Sequence, residues 1–195
     1  MSFFDRERPY SIRQASLPHW EQEGTHTYIT FRLADSLPQS VLRPWQVARQ
    51  RWLDSHPEPW DEETEAEFFR LFTAKFHEYL DAGYGCCVLR LPEVSEVVAT
   101  AIRFFDGERY RLDRWCIAPN HVHVVVTPLG EQALEKILHS WKSYSAHEIA
   151  KMPRAAKALG PRFAHRIWQK ESFDHLVRSP ASLERIREYI RRHDR

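Results

Sequence analysis

Cysteine and long hydrophobic runs are what this sequence has least of. Only 3 of its 195 residues are cysteine, and two of them are adjacent, at positions 86 and 87. Thiols so few and so spaced form neither a disulfide framework nor a Cys-x-x-Cys metal motif. No run of about 18 apolar residues occurs, and the N-terminal residues lack the hydrophobic region of a signal peptide. These absences predict reduced thiols, a cytoplasmic location and no membrane partner.

Net charge is also nearly absent. The formal charge is +1 and the isoelectric point about 7.8, which does not by itself indicate a nucleic-acid binder. The charges are unevenly divided, however, because residues 134–195 hold 14 Lys and Arg against 7 Asp and Glu, whereas residues 1–133 hold 14 against 20. Phosphate binding depends on a local basic face rather than on the overall charge. The asymmetry favours a polyanionic partner such as DNA over an ordinary solvated surface.

The remaining composition is that of a folded domain. Hydrophobic residues make up 43% of the chain, enough for a core, so residues 1–195 are interpreted as a single domain. Hydrophobic periodicity predicts strands at 27–33, 110–117, 121–127 and 173–178, and helices at 44–56, 62–81, 94–105, 134–152 and around Tyr189. Strands and helices alternating with antiparallel hairpins predict an α+β fold, with helices packed against an antiparallel sheet.

Three other segments carry weaker patterns. Residues 1–25 are polar with few periodic signals and are interpreted as a loose arm. Residues 86–91 form a short apolar run, which predicts a buried strand. Residues 151–166 are basic and interrupted by proline and glycine, which predicts a loop.

The stretch from Asn120 to Val126 carries a pair of histidines two residues apart, His121 and His123. Side chains on a strand alternate between its faces, so the two imidazoles and Val125 share one face while the intervening valines fill the other. Two neutral imidazoles on one rigid face make a half-site for a divalent cation, which can polarise a phosphate oxygen. A core strand that happens to carry two histidines is an equally good interpretation of these residues alone.

A second candidate lies in the C-terminal helix. Ser179 is a suitable N-cap and Pro180 suits the first helical position, and Leu183, Ile186 and Ile190 recur at helical spacing. Tyr189 lies at the edge of this apolar stripe, and the residue four positions later, His193, is on the same side. An ordinary amphipathic tyrosine at a helix boundary is the alternative interpretation.

Taken together, these motifs resemble the single-tyrosine HUH transposases, in particular the REP-associated tyrosine transposase branch of the IS200-like superfamily. HUH stands for His-hydrophobic-His, which is His121-Val122-His123 here. The resemblance runs in order along most of the chain, through the segments 27–33, 81–89, 119–123, 137–143, 168–175 and 186–190. A lone His-x-His is a weak signal, whereas the ordered set that ends in Tyr189-Ile190 is a strong one.

The resemblance implies a ferredoxin-like (RRM-like) core, with residues 37–83 as a helical insertion after the first strand. It implies that Tyr189 attacks a DNA phosphodiester and forms a 5′-phosphotyrosine bond, assisted by Mg²⁺ or Mn²⁺ bound to His121 and His123. The third metal ligand in relatives is usually an Asn or Gln four residues after the nucleophile, and His193 occupies that position. An imidazole suits Mg²⁺ less well than an oxygen ligand does.

The implied substrate is single-stranded DNA that carries palindromic hairpins, bound by a monomer or a homodimer. The candidate contacts to the DNA backbone are the basic residues Lys142, Arg162, Arg166 and Lys170. Trp141 and Trp168 are interleaved with them and could stack on exposed bases, although a core position suits tryptophan better.

Two other functions remain compatible with these residues. A two-histidine phosphoesterase needs two separate His-x-Thr/Ser strands, and the segments that follow His123 and His175 lack the hydroxyl. A domesticated transposase that binds hairpins without cutting them fits the replacement at His193. Strand cleavage that depends on Tyr189 distinguishes the enzyme from this second alternative.

Overall fold

The computed structural model describes residues 2–14, 18–57, 60–163 and 166–193. The strands are β1 (Ser11–Gln14), β2 (Pro18–Glu21), β3 (Thr27–Arg32), β4 (Tyr110–Ile117), β5 (His121–Pro128) and β6 (Phe173–Leu176). The helices are α1 (Gln39–Ser55), α2 (Glu62–Phe68), α3 (Lys75–Asp81), α4 (Pro92–Arg103), α5 (Leu134–Ala150), α6 (Pro153–Phe163) and α7 (Pro180–His193). Within these ranges, no helix is both long and apolar enough to cross a membrane.

Four strands form the central sheet in the order β4-β5-β3-β6, and every neighbouring pair is antiparallel. Along the chain, α4 lies between β3 and β4, and α5 lies between β5 and β6. This strand order, with a helical crossover in each half, is the ferredoxin-like arrangement. The predicted α+β, ferredoxin-like fold class is therefore confirmed.

The two faces of the sheet have different partners. Val122, Val124 and Val126 point into the main core, which also holds residues of α4 and α5. Val125 points to the opposite face, where it packs with Tyr28 and with the apolar stripe of α7. The alternation predicted for β5 is confirmed, and it leaves His121 and His123 on the face that α7 covers.

The helices α1, α2 and α3, which lie between β3 and α4 in the chain, pack on the same face of the sheet as α7. A π-helical stretch, Phe69–Ala74, joins α2 to α3, so the predicted helix 62–81 exists but has a wider turn in its middle. The indole of Trp45 in α1 donates a hydrogen bond to the Phe72 carbonyl at 3.1 Å. Apolar side chains of α1, the π-helical stretch and α3 form a separate cluster with Phe173 of β6. The C-terminal end of α3 is thereby held beside the sheet.

Three predictions from local sequence are wrong. The run 86–91 contains the short 3-10 helix Val88–Arg90 instead of a strand, because it packs its apolar side chains on the core without a neighbouring strand. The predicted basic loop contains α6, since Pro153 stands at its first position, where a missing N–H costs nothing, and the positive φ of Gly160 permits a bend near its end. The predicted arm contains the hairpin β1-β2.

Candidate functional site

The face of the sheet beneath α7 carries the two histidines of β5. Their Nε2 atoms lie 2.8 Å apart, and both side chains are fully buried. Burial lowers the pKa of His121 to about 4 and that of His123 well below its ordinary value. Both imidazoles are therefore neutral at physiological pH, and at least one of the two facing nitrogens presents a lone pair.

Asn120 fixes the tautomer of His121. Its side-chain amide donates to the carbonyls of Leu80 and Tyr84, at 3.1 and 2.9 Å, which leaves Oδ1 facing His121 Nδ1 at 2.7 Å. Because an amide oxygen only accepts, the imidazole proton of His121 lies on Nδ1 and the lone pair on Nε2. A histidine held in this way by its other nitrogen is the usual state of a metal ligand.

The partners of His123 permit either tautomer. Its Nδ1 atom lies 2.8 Å from the Tyr28 hydroxyl and 2.9 Å from the Thr30 hydroxyl, and each hydroxyl can donate or accept. With the proton on Nε2, His123 donates to the lone pair of His121. With the proton on Nδ1, both Nε2 atoms present lone pairs to a shared cation, so no partner of the pair opposes metal binding.

Helix α7 places the candidate nucleophile over this pair. Ser179 caps the helix by accepting a hydrogen bond from the Ser182 amide at 3.1 Å, and the apolar stripe is buried against the sheet. Arg187 donates to Asp113 of β4 at 2.8 Å, which fixes the other side of the helix. The Tyr189 ring then lies 5.2 Å from the ring of His123, measured between centroids.

A carboxylate that sequence reasoning missed lies among these groups. Asp81, at the end of α3, accepts hydrogen bonds through Oδ2 from the Tyr189 hydroxyl at 3.2 Å and from His193 Nε2 at 3.0 Å. Its other oxygen lies 3.6 Å from His121 Nε2. Burial, together with the negative charge of Asp81, raises the pKa of Tyr189, and the hydrogen bond to Asp81 raises the pKa of His193.

His77 forms a platform beneath the tyrosine. Its ring stacks on Tyr189 with centroids 4.9 Å apart, and its Nε2 lies 3.2 Å from the Thr30 hydroxyl. The side chain is fully buried, which lowers its pKa well below the ordinary value. A neutral imidazole at this position limits the directions in which the Tyr189 ring can turn.

The potential metal-ligand atoms of this site lie close together, but they contact one another. In the part of the chain that the structure describes, no group of three or more His, Cys, Asp or Glu side chains is arranged so that it could hold a metal ion as it stands. Ligand atoms about 2.1 Å from one ion lie about 3.0 to 3.4 Å from each other. The Nε2 pair, at 2.8 Å, and the approach of Asp81 to His121, at 3.6 Å, differ from those spacings by a few tenths of an ångström. Two spacings among these potential ligands are therefore close to those of a metal centre, and their donor types are ones that divalent ions accept.

The predicted DNA-contacting residues lie apart from the histidines in the fold. Lys142, Arg166 and Lys170 border one open groove between α5 and the segment that leads to β6. The Lys142 ammonium already donates to the carbonyls of residues 169 and 170 and to Ser172, so its donors hold this segment in place. Arg166 and Lys170 are exposed. The side chain of Arg162 lies outside the described residues.

Sequence reasoning missed three residues that the fold brings to this place. Asn120 directly precedes the histidine motif, and its position at the end of a strand was an available signal. His77 occurs on a helix with a strong apolar stripe, where a buried imidazole resembles any core histidine. Asp81 is the last residue of α3 and looks locally like any polar helix end, so although the resemblance includes the segment 81–89, nothing in that segment marked Asp81 as a site residue.

Acidification should destabilise the metal-free protein. Burial lowers the pKa of His26, His77, His121, His123 and His175, whereas hydrogen bonds to Asp174 and Asp81 raise that of His19 and His193. A histidine with a lowered folded-state pKa stabilises the fold above its unfolded value of about 6.5, and that contribution is lost as the pH falls. Histidines with a raised pKa act in the opposite direction, but among the described residues they are fewer.

We therefore expect Tm to fall as the pH is lowered from about 7.5 to about 5.5. Thermal unfolding followed by circular dichroism in the presence of chelator measures this. His175→Phe removes one partly buried histidine whose pKa is lowered and which lies outside the Tyr189 cluster, and it should make the decline shallower. A Tm that stays constant or rises on acidification would contradict the expectation.

The comparisons with known proteins bear on the same residues. The family described as "Transposase IS200 like" matches residues 90–193, slightly more than half of the chain, and this segment includes His121, His123 and Tyr189. No curated protein sequence matches the chain. One similar solved structure is a REP-associated tyrosine transposase bound to a REP hairpin, with 13% identity, a TM-score of 0.39 and coverage of 97% of this chain and 70% of that one.

Another similar structure is a proposed transposase from Deinococcus radiodurans R1. It has 12% identity and a TM-score of 0.40, over 86% of this chain and 89% of that one. Since both TM-scores are below 0.5, these two likenesses add nothing to what the order of the strands already establishes.

Proposed function

Because the chain belongs to the IS200-like transposase family, we propose that it is a single-tyrosine HUH DNA nuclease and strand transferase. The proposal gives Tyr189 the role of nucleophile. The observation that carries it is the position of Tyr189, whose ring lies 5.2 Å from the ring of His123 while the Nε2 atoms of His121 and His123 face each other at 2.8 Å. A nucleophile and a potential phosphate-binding centre thus occur together within one chain.

The reaction is a transesterification. The Tyr189 oxygen forms a bond to the scissile phosphorus, the bond from phosphorus to the 3′-oxygen breaks, and a free 3′-hydroxyl is released. The phenol loses a proton and the departing 3′-oxygen gains one, so the step consumes no cofactor. In the reverse direction a 3′-hydroxyl attacks the phosphotyrosine and the phenolate leaves, which allows strands to be rejoined.

Each site residue has a distinct part in this step. Asp81 accepts a hydrogen bond from the Tyr189 hydroxyl, and His77 stacks on the ring, so the phenol oxygen is held in one direction. His121 and His123 would hold the metal, with His193 as the third ligand that the family resemblance implies. When bound, Mg²⁺ or Mn²⁺ would neutralise charge that develops on the scissile phosphate and orient it for in-line attack.

The proposed substrate is single-stranded DNA with a palindromic hairpin. An open cleft lined by Asp81, Arg90, Asn120 and His193 leads to the site and leaves room for a phosphate chain. Arg90 supplies a positive charge beside it. Arg166 and Lys170, exposed along the separate groove, are the proposed contacts for the rest of the DNA backbone, since exposed cations can release counterions from it.

Covalent capture of DNA tests this function. Purified protein is incubated with Mn²⁺ and a single-stranded oligonucleotide that carries a hairpin from the flanks of the gene, and the products are separated on a denaturing gel. We expect a protein–DNA adduct that requires the metal, and mass spectrometry of its digest should place the nucleotide on the peptide containing Tyr189. The same sequence as a blunt duplex is the matched control and should give no adduct.

Two outcomes would refute the proposal. An adduct on another residue would remove Tyr189 from its role. Tight hairpin binding without an adduct in either Mn²⁺ or Mg²⁺ would instead support the non-cleaving, domesticated function.

A further inference from the structure

We propose that Asp81, and not His193, supplies the third protein ligand to the divalent metal. This inference rests on the proposed function, because it concerns the metal centre that His121 and His123 would form. It assigns a catalytic part to residue 81, which belongs to the helical segment that precedes the family-matched residues 90–193. Asp81 reaches the centre from α3.

Both ring nitrogens of His193 already contact oxygen atoms of the protein. Nδ1 lies 3.0 Å from the backbone carbonyl of Tyr189, which can only accept. Nε2 lies 3.0 Å from the carboxylate of Asp81, which is also an acceptor. Each ring nitrogen of His193 is therefore already occupied by an oxygen partner within the protein. His193 is therefore placed to orient Asp81.

The two carboxylate oxygens of Asp81 have different partners. Oδ2 accepts from the Tyr189 hydroxyl and from His193, and this fixes the carboxylate plane. Oδ1 lies 3.6 Å from Nε2 of His121. Two imidazole nitrogens and one carboxylate oxygen would supply three protein ligands, and the remaining positions on the ion would be available to substrate oxygens. The carboxylate also brings the hard oxygen donor that Mg²⁺ and Mn²⁺ favour.

The arrangement also links the metal to the nucleophile. The same carboxylate that would bind the ion through Oδ1 holds the Tyr189 hydroxyl through Oδ2 at 3.2 Å. The attacking oxygen and the ion would therefore be positioned by one rigid group. The side chain of Asp81 is 34% exposed, so the scissile phosphate can approach it from solvent.

Mn²⁺ binding to the full chain without DNA tests the assignment by titration calorimetry and electron spin-echo spectroscopy. We expect Asp81→Asn to weaken Mn²⁺ binding at least about tenfold, since loss of even an outer-shell partner of a metal ligand typically costs about that much. Glu78→Gln, the matched change of charge one turn earlier on α3, should leave the affinity within about twofold, since its carboxylate is exposed and paired with Lys75. The spectrum should report two coordinated imidazoles in both the wild type and His193→Ala.

Each other result overturns the assignment in a distinguishable way. Three coordinated imidazoles in the wild type, reduced to two by His193→Ala, would return the third ligand to His193. Unchanged affinity in Asp81→Asn, with binding lost in His121→Ala, would reject Asp81 and leave the proposed function standing. No Mn²⁺ binding to the wild type would reject this inference and the metal-assisted reaction together. Thermal unfolding of each variant without metal verifies that it is folded, and Asp81→Glu, which keeps a carboxylate, should retain part of the affinity.

Discussion

Replacing Tyr189 with phenylalanine should abolish the covalent adduct while leaving the fold and hairpin binding nearly unchanged. The substitution removes only the attacking oxygen, and it keeps the ring that stacks on His77. Loss of an essential nucleophile typically lowers the rate by about 10⁴-fold or more. Stability should change by no more than about 1 kcal/mol, because the single hydrogen bond lost, to Asp81, lies at the partly exposed mouth of the site.

The measurement is adduct formation over time on the denaturing gel, together with hairpin affinity by fluorescence anisotropy. Tyr144→Phe is the matched control, because this tyrosine of α5 is 49% exposed and lies outside the histidine cluster. It should form the adduct at the wild-type rate. Cleavage by Tyr189→Phe at a comparable rate would mean that another group attacks the phosphate.

Replacing Trp141 with alanine should cost about 3 to 5 kcal/mol of the free energy of unfolding. The indole is 1% exposed in the main core, meets the Tyr110 ring edge-on and donates from Nε1 to the Tyr110 hydroxyl at 2.9 Å. Alanine would leave a cavity beneath the sheet and would remove that donor. Urea unfolding at constant m-value measures the loss.

This substitution also decides between two roles for the tryptophan. A base-stacking role predicts weaker hairpin binding with unchanged stability, which is the reverse of the result expected here. Trp115→Ala is a suitable comparison, since Trp115 is only partly buried and packs against the edge of the core. It should destabilise the protein by clearly less than Trp141→Ala.

Local sequence patterns were sufficient for the elements that carry the histidines and the tyrosine. Strand alternation placed His121 and His123 on one face because the period of a strand is independent of tertiary structure. The cap at Ser179 and the apolar stripe of α7 were readable for the same reason, since both are properties of a single helix.

Features that depend on distant parts of the chain could not be read in this way. Asp81 enters the cluster because a π-helical stretch and the packing of α1 set where α3 ends, and neither leaves a mark near residue 81. Lys142 looked like a free cation, yet a segment almost thirty residues later partly buries its ammonium, and this desolvation lowers its pKa to about 8. The helix α6 was missed because proline and glycine were interpreted as breakers, whereas Pro153 starts the helix and Gly160 bends it.

The side-chain amide of Asn120 connects residues that precede the family-matched segment to residues within it. Through it, the carbonyls of Leu80 and Tyr84, before the matched segment, are tied to His121 within that segment. Asp81 and His77, which also precede the matched segment, contact Tyr189 in the same cluster. A fragment cut at residue 90 would retain both histidines and Tyr189 but lose every one of these supports. If the proposed function holds, the smallest unit able to perform it is therefore larger than the family-matched segment, because the helices before residue 90 support the histidines and Tyr189.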